Sequence, residues 1–266
     1  PFWSETPTVE QWLHCVNDQL KNDRSVSLYI HLPFCESLCT YCGCNTRITV
    51  NHAVEGPYIS AVLKEWKMYV DKMEETPIIR EIHLGGGTPT FFSAENLDRL
   101  MSGIFSIAEK APDIECSFEA HPQNTNEEHL RLLYDWGFRR ISFGIQDFDP
   151  EVQRIINRKQ SFEKISDITK LAREVGFTSI NYDLIYGLPR QTKDSVIDTI
   201  QKVKLLNPDR IAFYSYAHVP WIKPGQRSFT EKDLPQGTEK SILYEVGKSL
   251  LEESGYIEIG MDHFAL

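Results

Sequence analysis

Cys35, Cys39 and Cys42 stand in a C-x3-C-x2-C run. That spacing lets one loop offer three thiolates to three irons of a [4Fe–4S] cluster. The fourth iron is then left without a protein ligand, open to a small molecule that can take an electron. The competing chemistries are a zinc knuckle, with Cys44 or His31 as the nearest fourth donor, and a set of structural thiols. Four of the six cysteines fall between residues 35 and 44 of a 266-residue chain. A disulfide framework spreads its cysteines through a small secreted domain, so the cluster indicates metal or redox chemistry and a reducing, cytoplasmic setting. Cys15 and Cys116 read as buried apolar residues.

Other polar groups ask for a ligand. Gly85-Gly86-Gly87-Thr88-Pro89 places three glycines in a row, which is costly in backbone entropy and fits close approach of backbone to a bound molecule. Glu119, Gln146 and Asp183 each end a β-rich run, where a carboxylate can accept hydrogen bonds from ribose hydroxyls or an ammonium group. The alternative for each is helix N-capping. Arg154, Arg158 and Lys159 can answer a carboxylate; for Arg154 and Lys159 a solvated helix face is the simpler reading. His14, His52 and His129 read as surface residues without a partner pattern.

The elements that must position these groups follow from periodicity. A helix is expected over 7–21, with Trp12, Leu13, Val16 and Leu20 on one face and Thr8 as its cap. Strands are expected over 27–31, 81–85, 115–119, 140–144, 179–184 and 210–216, with a weaker seventh over 256–260. Helices over 57–73, 94–105, 127–136, 162–175, 193–206 and 238–253 alternate with them. Gly137, Gly176 and Gly255 follow three of these helices, where a left-handed C-cap is needed. Regular alternation implies parallel strands and right-handed crossovers. No G-x-G-x-x-G follows the first strand, so six units read as a partial (β/α)6 TIM-like barrel rather than a dinucleotide-binding sheet. Every motif, including Tyr216-Ala217-His218 after the sixth strand, then falls on the strand-to-helix loops that form the active rim of a barrel. The expected division is an N-terminal helical extension over 1–25 and the barrel over 26–266.

Hydrophobic residues make up 41% and charged residues 25% of the chain, and the net charge is −10. This is an ordinary globular composition. The acidic balance argues against a nucleic-acid surface, and an anionic substrate would have to meet a local group of Arg and Lys. No apolar run is long enough to cross a membrane. The chain opens on Pro1 and closes just after Met261-Asp262-His263-Phe264, so a piece of a longer protein is expected.

C-x3-C-x2-C after a first strand, followed by G-G-G-T-P after the second, resembles the signature of radical S-adenosylmethionine (SAM) enzymes. Tyr29-Ile30-His31-Leu32-Pro33-Phe34-Cys35, Cys42-Gly43-Cys44-Asn45, Gly144-Ile145-Gln146-Asp147-Phe148, the run from Asn181 to Pro189, and Gly260-Met261-Asp262-His263-Phe264 look like those of the oxygen-independent coproporphyrinogen III oxidase family. This resemblance implies that Cys35, Cys39 and Cys42 ligate the cluster. It implies two SAM molecules, the first touching Tyr29, Gly86 and Glu119. The second would touch Tyr41, Gly87, Thr88, Gln146, Arg158, Asp183 and Ala217. Cys44 belongs to the motif without being a ligand. The implied reaction starts with reductive cleavage of SAM by an electron donor's electron. The resulting radical takes a hydrogen from the β-carbon of a propionate of coproporphyrinogen III. Loss of CO2 and one electron to an acceptor leaves a vinyl group, twice per substrate, in haem biosynthesis. A monomer is expected. The alternative is a haem-binding carrier of the related branch, against which Gly43-Cys44 argues. His121-Pro122 departs from the family's Asp-Pro, and the family's C-terminal helical domain would lie beyond residue 266.

Overall fold

The computed structural model describes residues 6–266. Residues 1–5, part of the expected 1–25 extension, lie outside the described residues. In chain order the elements are α1 (Val9–Asn22), β1 (Ser25–Leu32), β2 (Phe34–Cys35), β3 (Arg47–Ile48), α2 (Glu55–Val70), β4 (Ile78–Gly86), α3 (Ala94–Phe105), β5 (Glu109–Ala120), α4 (Glu127–Asp135), β6 (Phe138–Gln146), α5 (Pro150–Ile155), α6 (Phe162–Val175), β7 (Ser179–Tyr186), α7 (Lys193–Leu206), β8 (Arg210–Ser215), α8 (Thr238–Glu252), β9 (Ile257–Gly260) and β10 (His263–Ala265). One sheet has the order β1-β4-β5-β6-β7-β8-β10-β9, and β2 and β3 form a separate two-stranded ladder. The first six strands of the sheet run parallel, while β10 joins β8 and β9 antiparallel. β1 and β9 are not paired with each other, so the barrel is partial, as expected from the six repeating units.

Local sequence explains where these elements begin and end. Thr8 and Gln11 form a reciprocal capping box at α1, Ser93 and Ser161 cap α3 and α6, and Thr192 caps α7. Gly176 closes α6 at φ 117°, a left-handed conformation that only glycine adopts without strain. One face of α3 buries Leu97, Leu100, Met101 and Ile104. These pack with the outward strand residues Ile82, Leu84, Phe118, Ile141, Phe143, Tyr182, Leu184, Ile211 and Phe213 in one core between sheet and helices.

The inward face is different. Glu81 and His83, Ser117 and Glu119, Arg140 and Ser142, Asn181 and Asp183, and Arg210 and Tyr214 alternate with that core. A parallel sheet covered on both faces reads as a continuous apolar run. Here the period is two, so the strands present a polar lining inward, and a packed barrel interior gives way to a cavity.

Some expectations need correction. The seventh strand exists but is the outer member of an antiparallel hairpin, reached through β10. α5 was not foreseen, because six residues are too few to show a period. Cys15 is exposed rather than buried, whereas Cys116 is buried. His129 is buried: it completes a capping box with Asn126, and its Nε2 lies 2.9 Å from the Phe92 carbonyl oxygen. His52 also has partners, with Nδ1 2.6 Å from Glu55 Oε1.

α8 lies against β8 through Gly247, where an added β-carbon would come within 2.4 Å of the buried Phe213 ring. Gly247→Ala is therefore expected to lower stability by about 1–3 kcal/mol through overpacking, read as a lower midpoint in urea unfolding with an unchanged slope.

Candidate active site

The cysteine loop leaves β1 at Leu32 and is held at both ends. Its first residues pair with β3: Arg47 donates to the Pro33 carbonyl at 2.8 Å and Thr49 to that of Cys35 at 2.9 Å. Inside the loop the Cys42 N–H closes a turn onto the Cys39 carbonyl at 3.1 Å. The far side of the loop rests on the end of α5. Thr40 donates to the carbonyls of Ile156 and Ile155 at 3.0 and 2.9 Å, and Asn157 Nδ2 donates to the Leu38 carbonyl at 2.7 Å. The unforeseen helix is thus part of the cradle of the three thiols. So is Gln226, 1% exposed, whose Nε2 bridges the carbonyls of Tyr41 and Ala217. An isolated Gln in a Pro- and Gly-rich loop carries no sequence signal.

The three glycines have a packing explanation. Gly87 donates to the Leu32 carbonyl at 2.9 Å, and a β-carbon there would lie 2.5 Å from the Pro33 carbonyl oxygen. Gly86 has φ 119° and packs under the His31 ring, and Gly85 lies under Tyr29 and Glu119. Thr88 continues the contact, with its N–H on the Phe34 carbonyl at 3.0 Å and Oγ1 3.4 Å from Cys35 Sγ. The run presses the end of β4 against the cysteine loop.

Cys35, Cys39, Tyr41, Cys42, Gly86, Gly87, Thr88, Glu119, Gln146, Arg158, Asp183 and Ala217 all line one cavity of about 1020 Å³. Tyr29 does not. It is 59% exposed and stacks at 5.8 Å on His83, which does line the cavity. None of Glu119, Gln146 and Asp183 caps a helix. Glu119 Oε2 accepts from the Gly86 N–H at 3.1 Å, and Asp183 accepts from Ser142 and Asn181 at 2.9 and 2.8 Å. Gln146 sits at φ 69° with its side chain buried and Oε1 without a partner. Arg158 leaves the surface that Arg154 and Lys159 occupy. It donates to the Gly144 carbonyl at 2.6 Å and reaches Cys39 Sγ at 3.5 Å, and its Nε is unpartnered.

Electrostatics follow this geometry. The Cys44 thiol and N–H bond to the Cys42 sulfur and bring its pKa down to about 6 against the effect of burial, with help from Arg158 and Lys223. The Cys44 thiol is pushed up by the same contact. Burial raises Cys35. Burial also pushes Asp183 up to about 6, against its bond from Ser142, and His121 down to about 3, with Arg158 adding to the shift. Behind the rim, Asp147 is fully buried. It accepts from Gln191 at 2.6 Å, Thr199 at 3.1 Å and the Asp149 N–H at 2.6 Å. Gln191 in turn accepts from the N–H of Gly187 at 2.6 Å, so this carboxylate ties the loops after β6 and β7 together. Burial pushes it up to about 6.

The donor set fits an iron–sulfur cluster with a polar ligand beside it. Thiolates are the ligands such clusters take, one per iron. Among the described residues no three His, Cys, Asp or Glu side chains converge tightly enough to hold one metal ion. The unpartnered Gln146 Oε1 and Arg158 Nε, both buried at the cavity wall, are groups that a ligand would satisfy.

Residues 29–203 match the Radical SAM superfamily, and the chain belongs to it. With that membership come a [4Fe–4S] cluster and SAM. More narrowly, the chain is 45% identical over 250 residues to the oxygen-independent coproporphyrinogen III oxidase of Helicobacter pylori strain J99, covering 94% of this chain and 55% of the relative. Against the Escherichia coli K12 enzyme of the same name it is 40% identical over 248 residues, covering 91% and 53%. It thus spans about half the length of these curated relatives. A solved structure of the Escherichia coli coproporphyrinogen III oxidase, described as a radical SAM enzyme, superposes with a TM-score of 0.91 at 38% identity, over 99% of this chain and 62% of that one. The archaeal Elp3 of Methanocaldococcus infernus shares the fold alone, with a TM-score of 0.57 at 13% identity over 85% of this chain and 54% of that one.

Asp147 gives a pH prediction. Its folded pKa of about 6 lies above the ordinary 3.8, so the folded state holds the proton more tightly than the unfolded one. Its contribution is favourable at low pH and is lost as pH rises from about 4 through 6. Asp147→Asn is expected to flatten the stability–pH curve across that window by about 3 kcal/mol, measured by chemical denaturation at each pH.

Proposed function

We propose that this chain is the catalytic barrel of an oxygen-independent coproporphyrinogen III oxidase. Such an enzyme decarboxylates two propionate side chains of coproporphyrinogen III to vinyl groups, giving protoporphyrinogen IX. The observation that carries the reading is the meeting, in one cavity, of the three-thiol loop with the polar ends of β4 to β8, in a chain 45% identical to an enzyme of that name. In this reading Cys35, Cys39 and Cys42 would hold the cluster, and the rim residues would bind two SAM molecules. When bound, these groups supply one-electron reduction of a sulfonium and abstraction of a hydrogen atom.

The chain's own residues bind and orient. Glu119, fixed at one oxygen by the Gly86 N–H and with His83 Nε2 3.6 Å from the other, can accept from an ammonium group. Asp183 has one oxygen anchored by Ser142 and the other by Asn181, and its remaining lone pairs face the cavity, where ribose hydroxyls can donate to them. Gln146 Oε1, without a protein partner, can accept a hydrogen bond from the ligand. Arg158, between the Gly144 carbonyl and Cys39, answers a carboxylate and helps to bring down the pKa of the Cys42 thiol. The Asp147–Gln191 brace holds the rim still, so that the reacting carbon stays in register and water is kept away. On the substrate, a β-hydrogen leaves first, and then the bond to the carboxyl carbon breaks. CO2 departs, one electron passes to an acceptor, and the carbon–carbon double bond remains.

The test uses the anaerobically reconstituted full-length enzyme with SAM, a reductant and coproporphyrinogen III. The vinyl product is expected from the wild type. SAM cleavage without decarboxylation rejects the substrate, and stable stoichiometric haem binding in its place selects the carrier. Replacing Cys35, Cys39 or Cys42 by Ala is expected to abolish the brown sulfur-to-iron absorption and the product together. Cys44→Ser is expected to keep iron and sulfide at wild-type content, as analysis of both elements will show.

A further inference from the structure

The chain is acidic, yet the proposed substrate carries four carboxylates, two of which survive the reaction. Something inside the cavity must meet them. Three arginines line it: Arg140, Arg158 and Arg210. Arg158 is committed at the rim by Gly144 and Cys39. The other two sit at the opposite ends of the strands. Arg140 precedes Gly144 by four residues on β6, and Arg210 precedes Tyr214 by four on β8, which places both about 13 Å below the rim. In register Arg140 faces Ser179 and Arg210 faces Asn181 across the intervening β7, all four lining the same cavity.

Their partners distinguish them from structural arginines. Arg210 has no hydrogen-bond or ion-pair partner among the described residues, although neighbouring Asp209 is paired with Arg173 at 2.6 Å. Arg140 has one carboxylate, Glu115 at 2.7 Å, and that side chain is 62% exposed. A half-exposed ion pair of this kind is weak, so a ligand carboxylate can take the place of Glu115 at little cost. A guanidinium presents a fork that matches a carboxylate bidentately.

We propose that Arg210 and Arg140 form a carboxylate-binding floor, which holds the non-reacting propionates while the reacting edge of the macrocycle reaches the rim. The proposal deepens the function given above and rests on it for the identity of the ligand. It assigns the substrate's polarity in the cavity: acid groups that persist point down, and groups that become vinyl point up.

The test titrates the full-length enzyme with coproporphyrin III, the oxidised, non-reacting tetracarboxylate, and with its tetramethyl ester. Arg210→Gln is expected to weaken binding of the acid by about tenfold to a hundredfold and to leave the ester's affinity where the wild type has it. Glu115→Gln frees Arg140 and is expected to tighten binding of the acid. The proposal is overturned if Arg210→Gln binds the acid as tightly as the wild type, if it loses acid and ester equally, or if the wild type does not bind the acid. Should Arg210→Gln fail to fold, Glu115→Gln decides: tighter binding supports the floor, and unchanged binding rejects it. Turnover is scored separately. A wild type that binds the acid through Arg210 and does not decarboxylate coproporphyrinogen III refutes the enzymatic reading and leaves the floor standing.

Discussion

Backbone meets backbone where the end of β4 passes under the cysteine loop, and the site depends on that contact. At Gly87 the space for a β-carbon is taken by the Pro33 carbonyl, 2.5 Å away. The Leu32 and Phe34 carbonyls receive the N–H groups of Gly87 and Thr88. These bonds fix the start of a loop that is otherwise irregular. A second set, from Thr40 and Asn157 to the end of α5, fixes its other side. Three thiols between residues 35 and 42 of an irregular loop would otherwise sample many separations. Clamped between β4 and α5, they face one cavity. The triglycine that looked like a ligand's footprint is first of all the means by which two segments of chain come this close.

The second constraint is the inward polar face of the sheet. Parallel strands bring all their C-terminal ends to one rim, so residues far apart in sequence become neighbours there. Strands that keep a period of two also carry polar side chains down to their N-terminal ends. The interior is therefore polar along its whole depth, with Glu119, Asp183 and Arg158 near the cysteines and Arg140, Arg210, Glu81 and Glu115 toward the strand beginnings.

Much of this was legible in the sequence where local chemistry dictates local structure. The helices over 94–105, 162–175 and 193–206 were read to the residue, because a Ser or Thr cap opens each and an amphipathic stripe fills it. The strands are placed by the alternation that survives in each, five of them drawn short and those over 210–216 and 256–260 drawn one residue too long. Gly86, Gly87, Thr88, Glu119, Gln146, Asp183 and Ala217 are legible because loops after parallel strands share a face; Tyr29, Tyr41 and Arg158 follow only from the family resemblance, and of all these Tyr29 alone does not line the cavity. What escaped notice depends on tertiary contact. α5 is too short for periodicity, and only Asp149-Pro150 marks its start. His129 completes its capping box through an Asn-x-x-His pattern that is easily passed over. Cys15 projects from an exposed face of α1, where thiol chemistry does not predict burial. Gln226 and Asp147 act through bonds that join separate loops. Arg140 and Arg210 stand near strand beginnings, away from the rim where the motifs gather.

The short hairpin at the end of the described chain also has a dynamic consequence. Gly260, Met261 and Asp262 all adopt positive φ, between 52° and 103°, and this tight reversal lays β10 along β8. Phe213 donates to the Asp262 carbonyl at 2.8 Å, and Phe264 faces Ile211 across the pair. Without that three-residue strand, β8 would be the open edge of the sheet, fraying and exchanging its amide protons with water. Arg210 and Tyr214 would then move with a mobile ribbon. Amide exchange at Phe213 thus reports how often the wall of the cavity loosens, and the strained turn acts as the latch that governs its breathing.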